Sequence, residues 1–212
     1  MIPERPETIA GASGPTLEAA LTLPARARAG VVVCHPHPLY GGDMDSPVVT
    51  AAARACAEAG LATLRFNFRG VGDSTGAHDE GRGEQDDCRA ALALLRNRLP
   101  PASVLGLLGY SFGASIAAHV DEGRADLDGL ALVAPPLAMD SFDDLHAGRP
   151  LLLAAGSRDP YCPVQDLVKL AERVGTEPRI IEGADHFFFG KLFPLGTAVE
   201  GWLRGWIPGR AS

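Results

Sequence analysis

The sequence has little positive charge to spare: 19 lysines and arginines stand against 26 aspartates and glutamates, a net charge of −7 over 212 residues. Nucleic acid and anionic membrane surfaces select the opposite balance, so neither is an expected partner. No apolar run is long enough to span a bilayer; the nearest, Gly129 to Met139, is interrupted by Pro135 and Pro136. Cysteine is scarce, with Cys34, Cys56, Cys88 and Cys162 widely spaced and no CxxC pair among them. The first residues, Met1-Ile2-Pro3-Glu4-Arg5-Pro6-Glu7, put acids and prolines where a secretory leader needs a basic start and an apolar stretch. A cytoplasmic protein with reduced, mostly buried thiols is therefore expected. Internal repeats, low-complexity tracts and interdomain linkers are also lacking, which leaves one domain over residues 1–212.

What is present is 46% hydrophobic and 21% charged, the profile of a globular protein. Residues 1 to about 15 are polar and proline-rich and read as an irregular arm, followed by an edge strand from Leu17 to Leu23 that Pro24 ends. Strand and helix signals then alternate. Gly30 to Cys34 is a continuous apolar run of the kind buried on both faces of a parallel sheet. Ser46-Pro47 opens an alanine-rich helix that Gly60 stops. Further strands are predicted at Leu61–Phe68, Val104–Tyr110, Leu127–Val133, Pro150–Ala155 and Pro178–Glu182, and further helices at Glu84–Leu99, Phe112–Val120, Val164–Val174 and Leu195–Trp206. The alternation predicts an α/β fold, a doubly wound and mostly parallel sheet flanked by helices.

The chemistry concentrates in Gly109-Tyr110-Ser111-Phe112-Gly113, a G-x-S-x-G pattern between an apolar strand and a small-residue helix. A serine in that turn is exposed above the strand end, and the Phe112 N–H faces the oxygen that becomes an oxyanion. A plain strand-to-helix turn would also match so short a pattern. Two later loops argue for more. A serine hydroxyl needs a base to take its proton, and the base needs a carboxylate to fix its tautomer. Asp159 follows one predicted strand and His186 the last, so both sit at carboxyl ends of strands in the order Ser, Asp, His.

These segments, with His35-Pro36-His37-Pro38-Leu39-Tyr40-Gly41-Gly42 and Leu64 to Gly72, resemble the α/β-hydrolase superfamily along nearly the whole chain. Within it, the sequence looks most like small bacterial hydrolases related to dienelactone hydrolases and to the cocaine-esterase and prolyl-peptidase group. The resemblance implies a serine hydrolase with Ser111 as nucleophile, His186 as base and Asp159 as the orienting acid. It also implies a second oxyanion N–H from the loop after the first long parallel strand. Pro36 and Pro38 have no N–H to give, and matching His37-Pro38 to the usual His-Gly leaves Leu39 first and Tyr40 second. Dienelactone hydrolases use a cysteine nucleophile, which Ser111 replaces here, so a dienelactone is not the expected substrate. The stretch Leu137 to Arg149, where this fold inserts lids, makes at most about three helical turns, too little for a large cap.

Other residues have two readings each. His35 and His37 have the spacing of a metal-binding pair, but the prolines between and beside them spoil its geometry, and an oxyanion loop is the plainer reading. Asp185 and Asp140 are alternative triad acids. Cys162 is read as a packed thiol near the site, and Phe187, Phe188 and Phe189 as core residues rather than walls of an acyl pocket. The expected activity is hydrolysis of a small-molecule carboxylic ester or thioester through an acyl-enzyme, with no cofactor and no metal. An acyltransferase using the same acyl-enzyme, or a non-catalytic ligand receptor on the same fold, are the alternatives. Oligomeric state is left open.

Overall fold

In a computed structural model the described residues are 3–10, 14–121, 126–146 and 148–207. The central run Ala29–Cys34 (β3) has all six residues buried, as an apolar strand covered on both faces must. Its side chains alternate between two cores: Val31 and Val33 face one layer, Val32 and Cys34 the other. The first layer is made by helices Pro47–Glu58 (α1) and Leu192–Leu203 (α5). Helices Arg82–Arg98 (α2), Phe112–Asp121 (α3) and Val164–Val174 (α4) make the other.

The remaining strands are Arg5–Ala10 (β1), Thr16–Thr22 (β2), Ala62–Phe66 (β4), Val104–Tyr110 (β5), Gly129–Val133 (β6), Leu151–Gly156 (β7) and Arg179–Ile181 (β8). They form one eight-stranded sheet in the order β1-β2-β4-β3-β5-β6-β7-β8. From β4 to β8 every pair is parallel, while β1–β2 and β2–β4 are antiparallel. The winding reverses at β3, whose neighbours are β4 and β5, and this opens a crevice at the carboxyl ends of β3 and β5.

The predicted alternation matches the observed elements, with two corrections at the amino end. The stretch read as an irregular arm contains β1, which pairs with β2 from Arg5↔Leu21 to Ala10↔Thr16; residues 1, 2 and 11–13 of that stretch lie outside the described residues. Consequently β2 is an interior strand and β1 the edge. Pro6 is tolerated because an edge strand leaves one side unpaired, and Ile9 is the one residue of β1 that is buried. At the opposite face, Gly106 and Gly129 make room for Trp206: a Cβ on either would come within 2.7 Å of the indole. Trp202 lies beside it, with ring centroids 5.2 Å apart.

Between β6 and β7 the described residues, all but 147 of that connection, hold no helix. No cap covers the crevice from there. Among the described residues no helix is long and apolar enough to cross a membrane.

Candidate active site

Ser111 follows β5 with φ +55°, a left-handed conformation that costs a residue with a Cβ roughly 1–2 kcal/mol. Tight packing holds it there. A Cβ at Gly109 would lie 2.0 Å from the Gly113 carbonyl oxygen, and one at Gly113 would lie 2.5 Å from that of Cys34. The glycines of the motif are thus required by close approach, within the turn and against the end of β3. The Ser111 N–H donates to the Val133 carbonyl at 2.9 Å, and the Ala114 N–H to the Ser111 carbonyl at 2.8 Å.

Three side chains from three loops meet at this turn. Nε2 of His186 is 3.0 Å from Ser111 Oγ, and its Nδ1 is 2.8 Å from Asp159 Oδ2. With Nδ1 protonated toward the carboxylate, Nε2 is the nitrogen free to accept the serine proton. Asp159 is 6% exposed, and its Oδ1 accepts the N–H groups of Tyr161 and Cys162 at 2.9 and 3.0 Å. Those bonds fix the carboxylate plane toward His186. Asp185 and Asp140 are not at the imidazole: Asp185 Oδ1 accepts the Phe189 N–H at 3.2 Å, and Asp140 Oδ1 the Ser141 N–H at 2.9 Å. The His186 loop is pinned from below by Tyr110, whose hydroxyl donates to the His186 carbonyl at 3.0 Å. Burial, and then the Asp159 carboxylate, push the Tyr110 phenol well above its ordinary range, so it remains a donor.

The oxyanion loop departs from the sequence reading. Pro38–Tyr40 is a 3₁₀ turn in which the Leu39 N–H donates to His37 Nδ1 at 3.2 Å and the Tyr40 N–H to the His37 carbonyl at 3.1 Å. Both donors assigned from the sequence, Leu39 first and Tyr40 second, are spent closing their own turn, and both side chains point to solvent. Among the described residues no acceptor takes the N–H of Phe112 or of His37. The His37 and Phe112 rings are 4.8 Å apart.

His35 and His37 do not act as a pair. Nδ1 of His35 is 2.6 Å from the Pro36 carbonyl oxygen and its Nε2 accepts the Phe68 N–H at 3.0 Å, so neither nitrogen is available to a metal. Cys162 is fully buried, and burial raises its thiol well above the ordinary range; it packs rather than reacts. Of the three phenylalanines read as core, only Phe188 is; Phe187 and Phe189 are exposed. Two residues escaped the sequence reading. Tyr161 meets the His186 ring edge-on, with centroids 4.8 Å apart. His78, in the loop after β4, has its ring 5.0 Å from His37 and its Nδ1 2.9 Å from the buried Glu84 carboxylate. Tyr161 stands two residues past Asp159 in the same short loop, whereas His78 reaches the site through the long connection between β4 and α2.

Residues 31–146 match the family model of the α/β hydrolase fold, a span that includes Ser111 and stops before Asp159 and His186. The chain belongs to the α/β-hydrolase family. Among individual relatives, it is 35% identical to an uncharacterised protein of Rickettsia prowazekii over 81% of this chain and 77% of that one. In three dimensions it is similar to an α-β serine hydrolase homologue from Coxiella burnetii, at 36% identity and a TM-score of 0.85, covering 93% of this chain and 96% of that one. It is also similar to a serine hydrolase without lid from Xanthomonas campestris, at 34% identity and a TM-score of 0.86, covering 97% and 96%.

Proposed function

We propose that the protein hydrolyses a small-molecule carboxylic ester or thioester through an acyl-enzyme on Ser111. The observation that carries this reading is the unbroken line from Ser111 Oγ through His186 to Asp159, at 3.0 and 2.8 Å. Ser111 attacks the carbonyl carbon as His186 Nε2 takes its proton, and Asp159 stabilises the imidazolium that forms. The N–H groups of Phe112 and His37, neither of which has an acceptor among the described residues, hold the oxyanion. Collapse of the tetrahedral intermediate expels the alcohol or thiol, which receives the proton from His186. Water then attacks the acyl-enzyme with His186 again as base. No step calls on a metal or cofactor. The four cysteines, all unpaired and buried, support a reducing cytoplasmic setting for this chemistry.

A fluorophosphonate should label the protein once, at Ser111, as read by intact mass and peptide mapping. Ser111→Ala should abolish labelling and lower turnover of the best ester by roughly a thousandfold or more, with the fold unchanged by circular dichroism. Dialysis against EDTA should leave the rate where it was. Retention of more than a tenth of the parent rate in the variant would sink the assignment.

A further inference from the structure

Among the described residues, the large apolar side chains left exposed lie at one end of the molecule, on the loops after β3, β6, β7 and β8 and the first turn of α5. That end is the one carrying Ser111. The exposed aromatics cluster most closely about the imidazole of His186. Tyr161, 44% exposed, meets it at 4.8 Å between centroids with planes at 65°, and Phe187, 57% exposed, meets it at 5.5 Å with planes at 85°. Phe189, 77% exposed, continues the row 5.9 Å beyond Phe187. Rings needed only to brace an imidazole would be covered by other side chains; these stand half in water, beside an uncapped crevice.

On the hydrolase reading above, we propose that this row binds the leaving group, and that the preferred substrate is an ester whose alcohol part carries an aromatic ring. The geometry of proton transfer gives the side. His186 must deliver its proton to the leaving oxygen, so that oxygen comes within about 3 Å of Nε2 and whatever is attached to it lies against the groups bordering the imidazole. Tyr110 is buried beneath the imidazole, so the exposed ones are Tyr161 and Phe187. The acyl part hangs from the carbon held by Ser111 and the oxyanion amides, on the side of Phe112 and His37. In the step itself the Ser111 Oγ–carbon bond forms and the bond from carbon to the alkoxy oxygen breaks. The proton taken from Ser111 leaves with the aromatic alcohol. A flat ring suits an open rim because it gains edge-to-face and offset contacts with the exposed rings without ordering a flexible chain.

Two matched pairs of esters test this. Benzyl acetate and cyclohexylmethyl acetate share the acyl group and differ in the ring of the alcohol; kcat/KM should favour benzyl by roughly tenfold, the sum of two aromatic contacts. Ethyl phenylacetate and ethyl cyclohexylacetate place the same difference in the acid, and should differ by less than about twofold. Tyr161→Leu and Phe187→Leu should each pull the benzyl preference toward unity. A bracing role alone would slow both acetates equally and leave their ratio intact, which would overturn the proposal. So would a ring preference on the acid side. A ratio near unity in the parent together with a dimer in sedimentation, lost in Phe187→Leu, would assign the row to self-association instead. Fluorophosphonate labelling keeps the two levels apart: a labelled, ester-cleaving enzyme with no ring preference sinks this inference alone, whereas no labelling and no turnover sinks the hydrolase reading with it.

Discussion

Both nitrogens of His35 are committed, Nδ1 as donor to the Pro36 carbonyl and Nε2 as acceptor from the Phe68 N–H, so the folded protein holds one neutral tautomer. Protonation would set an N–H against an N–H at a fully buried site, and burial accordingly lowers the imidazole to about 4. In the unfolded chain the same group titrates near ~6.5. Its contribution to stability is therefore complete above ~6.5 and is lost as pH falls from there toward 4, amounting to roughly 3 kcal/mol. Urea unfolding at pH 7.5 and 4.5 should show a smaller acid penalty in His35→Asn than in the parent; equal penalties would mean that His35 is not the group involved. Residues also mark where sequence reading stops. Ser111, Asp159 and His186 were legible because each lies in a short loop after a recognisable strand, so chain order alone places them on one edge. The fate of the Leu39 and Tyr40 N–H groups was not, because only the folded turn shows that both bond back to His37.

At the scale of elements, the connection from β6 to β7 governs access. Without a helix among its described residues it leaves the crevice open, and an open crevice offers little apolar area to a long acyl chain. A long acyl chain would otherwise gain about 0.8 kcal/mol per buried methylene. Short or compact acyl groups should be preferred in kcat/KM across p-nitrophenyl esters from acetate to palmitate, with no jump in rate at the micelle threshold. A maximum at twelve carbons or longer would reveal an acyl tunnel. The elements themselves were largely readable, since apolar strands such as β3 and β5 and the alanine-rich α1 carry their periods openly. The exception, β1, has one buried residue in six, so it lacks the alternation that betrays a half-buried strand. Its strand identity comes from backbone pairing with β2, which has no signature in side-chain type.

Across the whole molecule the sheet separates stability from chemistry, since β1 lies four strands away from β5 and its serine. Glu4, just ahead of β1, pairs with Arg65, whose side chain is 8% exposed, and Ile9 fills the core beneath. Starting the chain at Gly14 should cost roughly 2–4 kcal/mol in urea unfolding through the lost apolar burial and the loss of one of the two carboxylates that Arg65 pairs with, Asp45 remaining. The rate of fluorophosphonate labelling under native conditions should stay within about twofold of the parent, because the elbow is held by β3, β5 and β6. The indoles seated over Gly106 and Gly129 have a consequence for optical measurement. The sequence's two tryptophans, Trp202 and Trp206, are 6% and 9% exposed at the end of α5 and in the turn after it. Trp202 Nε1 donates to the Pro150 carbonyl at 3.1 Å. Emission excited at 295 nm therefore comes from one corner of the molecule. It should be blind to a ligand arriving at Ser111 and should shift to the red when α5 lifts from the sheet, making the protein's native fluorescence a gauge of that single helix.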